Sequence, residues 1–181
     1  QTSANQGVGS LSDVTSWEDL PDGQLAYATL APLPLDSGEV FDNVTMAFQR
    51  WGTLSADRDN VVLALHALTG DSHVTGPADD EHPAGGWWSE VIGQGRAIDT
   101  DEWCVISMNI LGGCQGSTGP SSIAPDGKAW GSRFPRITLL DQVRAEVWLM
   151  DRLGIDKVAC VIGGSLGGAR SLEWAIGFPD R

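Results

Sequence analysis

The residues Gly163-Gly164-Ser165-Leu166-Gly167-Gly168 carry the strongest chemical signal in the chain. They fit Gly-x-Ser-x-Gly, the nucleophile elbow, in which a serine sits in a strained turn between a strand and a helix. The glycines two before and two after the serine relieve clashes in that turn. The amino terminus of the following helix then presents N–H groups to a developing oxyanion. The context agrees, because the apolar run Lys157-Val-Ala-Cys-Val-Ile162 precedes the motif and a helical pattern follows it. The expected chemistry is nucleophilic, with Ser165 forming an acyl-serine intermediate. A dinucleotide fingerprint fails here, since Gly-x-Gly-x-x-Gly needs glycine where Ser165 stands. A P-loop fails too, because Gly127-Lys128 is followed by Ala129 and lies in no strand-to-helix turn.

A second constellation, His66-Ala67-Leu68-Thr69-Gly70-Asp71-Ser72-His73, directly follows the apolar run 60–65. In folds built around such an elbow, the loop after an early strand supplies one oxyanion N–H and the residue after the nucleophile supplies the other. By position these donors are Leu68 and Leu166. Thr69 and Asn109 are candidates for pocket lining, and Asn109 reads equally well as a loop brace. A metal site using His66 and His73 matches no common ligand spacing, and neither CxxC nor HExxH occurs, so no metal is expected. The usual chain order for the triad is Ser, then Asp or Glu, then His. His66, His73 and His82 all precede Ser165, and none follows it. Either an earlier histidine is recruited out of order, or the base and acid lie beyond Arg181 in a longer protein. The second is the expectation here.

The elements that must position these groups follow from periodicity. Asn60–Leu65, Trp103–Asn109 and Lys157–Ile162 are short apolar runs of the kind buried on both faces in parallel sheets. Val44, Met46 and Phe48 alternate with more polar neighbours and predict a half-buried strand, with Leu30–Leu35 as its hairpin partner across the turn Asp36-Ser37-Gly38. Leu139, Leu140, Val143, Val147, Met150 and Leu153 form an amphipathic stripe. Thr138 and Asp141 resemble a capping box before it, and Gly154 stops it. A second helix is expected from about Leu166 to Ile176, and a short one around Trp88–Ile92. The Gly-, Ser- and Pro-rich stretch 111–135 either borders the site or is a long surface loop. Arg170 reads mainly as a structural ion-pair partner. Trp87, Trp88, Trp103, Trp148 and Trp174 read as packing residues, and Asp99 and Asp101 as turn formers.

Composition narrows the field further. The 181 residues carry a net charge of −13, and the pI of about 4.3 disfavours nucleic-acid binding. No stretch of about 18 apolar residues exists, so no membrane span is expected. Gln1–Ser16 has no basic start and no apolar core, so no signal peptide is expected. Cys104, Cys114 and Cys160 show no pairing framework, which suits a reducing, cytoplasmic setting. Cys104 and Cys160 lie in apolar runs and are expected to be buried. Residues 1–24 read as a polar lead-in and residues 25–181 as part of one α/β domain with a mostly parallel sheet, ending soon after the elbow.

The segments HALTGDSHVTGP (66–77), GGWW (85–88), IDTDEWCVISMNILGGCQGSTGPSS (98–122), WGSRFP (130–135), DQV (141–143) and GGSLGGARSLEWA (163–175) resemble homoserine O-acetyltransferase of the actinobacterial type. The resemblance runs from about Leu35 to Arg181. It departs from the family at Leu166, where Met is usual, but the expected donor there is a backbone N–H. The resemblance implies an α/β-hydrolase fold and ping-pong transfer of an acetyl group from acetyl-CoA to L-homoserine, in methionine biosynthesis. It implies no cofactor beyond acetyl-CoA as co-substrate, a homodimer for the full-length protein, and a catalytic Asp and His in a carboxyl-terminal portion. Homoserine O-succinyltransferase, serine O-acetyltransferase, a plain esterase and an inactive fragment remain as alternatives.

Overall fold

A computed structural model describes residues 16–181. The chain runs β1 (Ala26–Thr29), β2 (Leu33–Pro34), β3 (Val40–Phe41), β4 (Thr45–Trp51), β5 (Val61–Leu65), β6 (Ile92–Gly93), β7 (Ile98–Asp99), β8 (Cys104–Met108), α1 (Leu139–Arg152), β9 (Cys160–Gly163) and α2 (Leu166–Gly177). The main sheet has the order β1-β4-β8-β5-β9. Its β8, β5 and β9 are parallel, while β4 and β1 add antiparallel at one side.

The central strands are apolar at both parities because both faces of the sheet are covered. Val61, Leu63 and Leu65 of β5 pack into a layer with Val143, Val147 and Met150 of α1 and Trp174 of α2. Val62 and Ala64 face the other way, against Val74 and Ile92 from the long segment between β5 and β8. All five residues of β5 and of β8 are buried. The parallel register sets Leu65 beside Gly163, so the chain leaves β5 and β9 at neighbouring points. Both candidate donor segments start there.

The Thr138 hydroxyl accepts the Asp141 N–H, and the Asp141 carboxylate accepts the Thr138 N–H, completing the expected capping box on α1. Such caps contribute about 1 kcal/mol. Asp141 Oδ1 also accepts the Asp36 N–H at 2.7 Å, tying the β2–β3 turn to the helix. Gly154 takes φ +71° just past the helix end, which a side chain rarely adopts.

Several expectations need correction. The partner of β4 is β1, whereas Leu33–Pro34 pairs with β3 across the predicted turn. β4 is buried on both faces. Its Gln49 is enclosed, with the amide hydrogen-bonded to Gly23 O and to Ser72 Oγ, so a polar residue in the alternation did not mark a solvent face. No helix forms at Trp88–Ile92. The segment makes a single turn, with the Val91 and Ile92 N–H groups both donating to Trp88 O, and it goes no further because β6 begins at Ile92. Cys160 is exposed, because β9 is the sheet's edge strand and only β5 flanks it. Of the expected lead-in, residues 1–15 lie outside the described residues. The rest is docked: Trp17 is buried, and its Nε1 donates to Leu153 O at 3.1 Å. Trp87, Trp88, Trp103 and Trp148 pack against the two core layers, as tryptophans of this size usually do. No helix among the described residues is long and apolar enough to cross a membrane.

Candidate active site

Ser165 joins β9 to α2 with φ +55° and ψ −121°. For a residue with a Cβ this is strained by about 1–3 kcal/mol. The cause is a close approach between the elbow and the end of β5. A Cβ on Gly167 would lie 1.9 Å from Leu65 O, and one on Gly163 would lie 2.6 Å from the same atom. These are the two glycines that the Gly-x-Ser-x-Gly pattern requires. By contrast, a Cβ on Gly164 would meet nothing within 4 Å. The serine side chain stands exposed at the amino end of a twelve-residue helix, whose first N–H groups, Leu166 among them, have no intrahelical partner.

A buried cluster fastens the start of α2 to the loop after β5. Arg170 Nη2 donates to His66 O at 2.7 Å, and Arg170 Nη1 pairs with Glu146 of α1. The other Glu146 oxygen accepts Trp174 Nε1 at 2.7 Å. Burial pushes the Glu146 carboxyl above its ordinary value, while Arg170 and Trp174 oppose this. The ion-pair reading of Arg170 is therefore what the fold displays. The sequence signal was a charged residue, Glu146, set among the apolar positions 143, 147 and 150 of α1.

His66 is 2% exposed. Its Nε2 accepts the Ile110 N–H at 3.1 Å, and its Nδ1 faces Ala67 O at 2.6 Å. Burial pushes its imidazole down to about 4; Arg170 acts the same way, and the Ala67 bond and Asp71 oppose. With both ring nitrogens engaged, His66 has no free lone pair to act as a general base. His73 and His82 stack at 4.4 Å with their planes 10° apart, beside Asp79. The ligand atoms of His73, Asp79 and His82 lie within 4.8 Å of one another, with His73 Nε2 facing Pro77 O at 2.9 Å and His82 Nδ1 facing the Asp79 carboxylate at 3.0 Å. His66 and His73 do not come together as ligands. Among the described residues no hydrogen bond joins any histidine to Ser165.

Leu68 is 73% exposed. Leu68, Thr69, His66 and Asn109, with Cys114 and Gln115 of the Gly-rich loop, line a cavity of about 70 Å³. That holds about two waters, so these residues enclose no ligand by themselves, and neither Ser165 nor Leu166 is among those that line it. Asn109 braces as well as lines. Its Oδ1 accepts the Ser72 N–H at 2.7 Å and its Nδ2 donates to Gln115 O, linking the loop after β5 to the loop after β8. Residues 113–115 of the Gly-rich stretch line this cavity. Asp99, expected in a turn, instead ends β7, where its Oδ1 accepts the N–H groups of Gly95 and Asp101; Asp101 lies in the turn that follows. A larger cavity of about 520 Å³ lies between Tyr27, Asn43, Thr118 and Trp130. None of Ser165, Leu166, Leu68, Thr69 and Asn109 lines it.

A strand-elbow-helix unit of this geometry, with the neighbouring strand end held against it, defines a class. Residues 60–181 match the alpha/beta hydrolase fold, and the chain belongs to that family. Within it, the chain is 60% identical over 162 residues to homoserine O-acetyltransferase of Mycobacterium sp. (strain KMS), covering 89% of this chain and 43% of that protein. Among solved structures it is similar to homoserine O-acetyltransferase from Bacillus anthracis, with TM-score 0.81, 31% identity, and 88% and 44% of the two chains covered. It is also similar to esterase E22, with TM-score 0.80, 36% identity, and 86% and 44% covered. The chain therefore spans less than half the length of the curated relatives it matches.

Proposed function

We propose that this chain forms the nucleophile-bearing part of a homoserine O-acetyltransferase. The observation that carries the reading is Ser165 held at φ +55° where β9 turns into α2, in a chain 60% identical to a protein of that name. The Ser165 oxygen attacks the thioester carbonyl of acetyl-CoA while a general base takes its proton. The oxyanion is held by the N–H groups of Leu68 and Leu166. Collapse of the adduct breaks the C–S bond, and CoA leaves as the thiol with the proton. The side-chain hydroxyl of homoserine then attacks the acetyl-serine, giving O-acetylhomoserine and free Ser165. In this reading Thr69 and Asn109, which share a cavity with Leu68, line the pocket. No cofactor is needed beyond acetyl-CoA as co-substrate. The general base and its acidic partner belong to the portion of the enzyme that the relatives carry and this chain does not span, as does the proposed dimer contact.

The esterase likeness makes water the competing acceptor, and the acceptor decides between the two activities. In the intact enzyme, acetyl-CoA alone gives one rapid equivalent of CoA, and turnover follows only when homoserine is added. Steady CoA release without homoserine would identify a hydrolase instead. Ser165→Ala abolishes the burst in either case; a burst that survives it removes the nucleophile assignment. Residues 1–181 alone release no CoA, since they supply no free base to Ser165.

A further inference from the structure

The peptide unit between Ala67 and Leu68 is held from one side only. Because the Ile110 N–H points at His66 Nε2, that nitrogen is an acceptor and the ring proton sits on Nδ1. Nδ1–H is then donated to the Ala67 carbonyl at 2.6 Å. The same carbonyl accepts the Gly70 N–H at 2.9 Å. A peptide unit is planar and trans, so anchoring its carbonyl on one side directs its N–H to the other. The N–H opposite the Ala67 carbonyl is that of Leu68. One peptide upstream, the His66 carbonyl is itself held by Arg170.

We infer that His66 is a positioning residue: its ring, braced by the Ile110 N–H, anchors the Ala67 carbonyl and so aims the Leu68 N–H at the oxyanion. The inference rests on the acyl-transfer reading above, because it gives Leu68 a transition state to meet. Three elements converge on the arrangement. The ring belongs to the end of β5, Ile110 follows β8, and Arg170 lies on α2 with Glu146 of α1 behind it. The charged groups facing the ring are Arg170 and Asp71, and burial keeps the imidazole neutral across the working pH range. The anchor therefore does not open and close with pH. A protonated ring would lose its acceptor at Nε2 and release Ile110.

Two substitutions separate aiming from packing. Asn carries an amide NH2 near the position of Nδ1, while Gln reaches the position of Nε2 and leaves the Ala67 carbonyl without its side-chain donor. In the intact enzyme, His66→Asn keeps kcat for CoA release within about five-fold, whereas His66→Gln and His66→Ala lose about 10²-fold in kcat with KM for acetyl-CoA unchanged, the size of losing one oxyanion donor. Equal losses in all three variants, or none in any, overturn the inference. If a variant fails to fold, ring 15N shifts of the unsubstituted protein decide. Protonated Nδ1 and bare Nε2 at neutral pH are expected, and a protonated Nε2 overturns it. The acyl-serine reading stands or falls separately, on the burst in Ser165→Ala.

Discussion

β5 and β9 are neighbours with nearly interchangeable sequences, yet they live in different surroundings. Val61-Val-Leu-Ala-Leu65 is buried at every position, between β8 and β9 and under cover on both faces. Cys160-Val-Ile-Gly163 has β5 on one side only, and none of its four residues is buried. Beside it, α2 presents Leu172 at 67% and Ile176 at 77% exposure. The difference shows that an apolar run reports what a strand is suited to, while its neighbours decide what it receives. It also shows how the site is divided. Within residues 16–181, the donor-bearing loop follows a strand flanked on both sides and the nucleophile follows a strand flanked on one. Fixing the second to the first falls to the close packing at Gly167 and to the Arg170–His66 bond.

The cysteines test this contrast most strongly. Cys104 lies in the sealed region, and burial pushes its thiol up to about 11. Cys114 and Cys160 are exposed. With a thiol reagent under native conditions, two cysteines should label at once and Cys104 about 10³-fold more slowly, since it waits on unfolding of the sheet centre. Rapid labelling of all three would erase the distinction. Next in size is truncation. Leu63→Ala is expected to cost about 3 kcal/mol in chemical denaturation, against less than about 1 kcal/mol for Val161→Ala. Equal costs would mean that β9 is packed as tightly as β5. Acid gives an effect of similar size that builds up gradually with pH. His66 is lowered from its ordinary value of 6.5 to about 4, so the unfolded chain binds its proton first. Its contribution to stability is complete above about pH 6.5 and is lost on acidification towards pH 4. That amounts to about 3 kcal/mol in full, about 2 kcal/mol of it by pH 5. Denaturation curves across this range should flatten by that amount in His66→Asn.

Much of the fold is legible in the sequence where a local cause suffices. The elbow is legible as a Gly-x-Ser-x-Gly pattern, although the atom that demands its glycines, Leu65 O, lies on the distant strand β5, and the α1 cap needs only Thr138 and Asp141. What was not legible depends on distant partners. Cys104 and Cys160 sit in similar runs, and only the strand order separates them. Gln49 in β4 looks like a solvent-facing residue until Gly23 and Ser72 are brought to its amide. Trp88–Ile92 has the spacing of a helical turn and makes one, but Ile92 then enters β6 beside Ile98, so no helix follows. In the site, His66 was conspicuous as a potential ligand. That its two nitrogens tie together the ends of β5 and β8 follows only once Ile110 is seen to point at it.

The approach of Gly167 to Leu65 O has a consequence beyond sterics. A single hydrogen occupies the space in which a methyl carbon would sit 1.9 Å from a carbonyl oxygen. The spacing between the strand that leads to the donor and the helix that leads from the nucleophile is thus machined to the thickness of one atom. It works as a gauge block, setting a tolerance that no flexible side chain could hold.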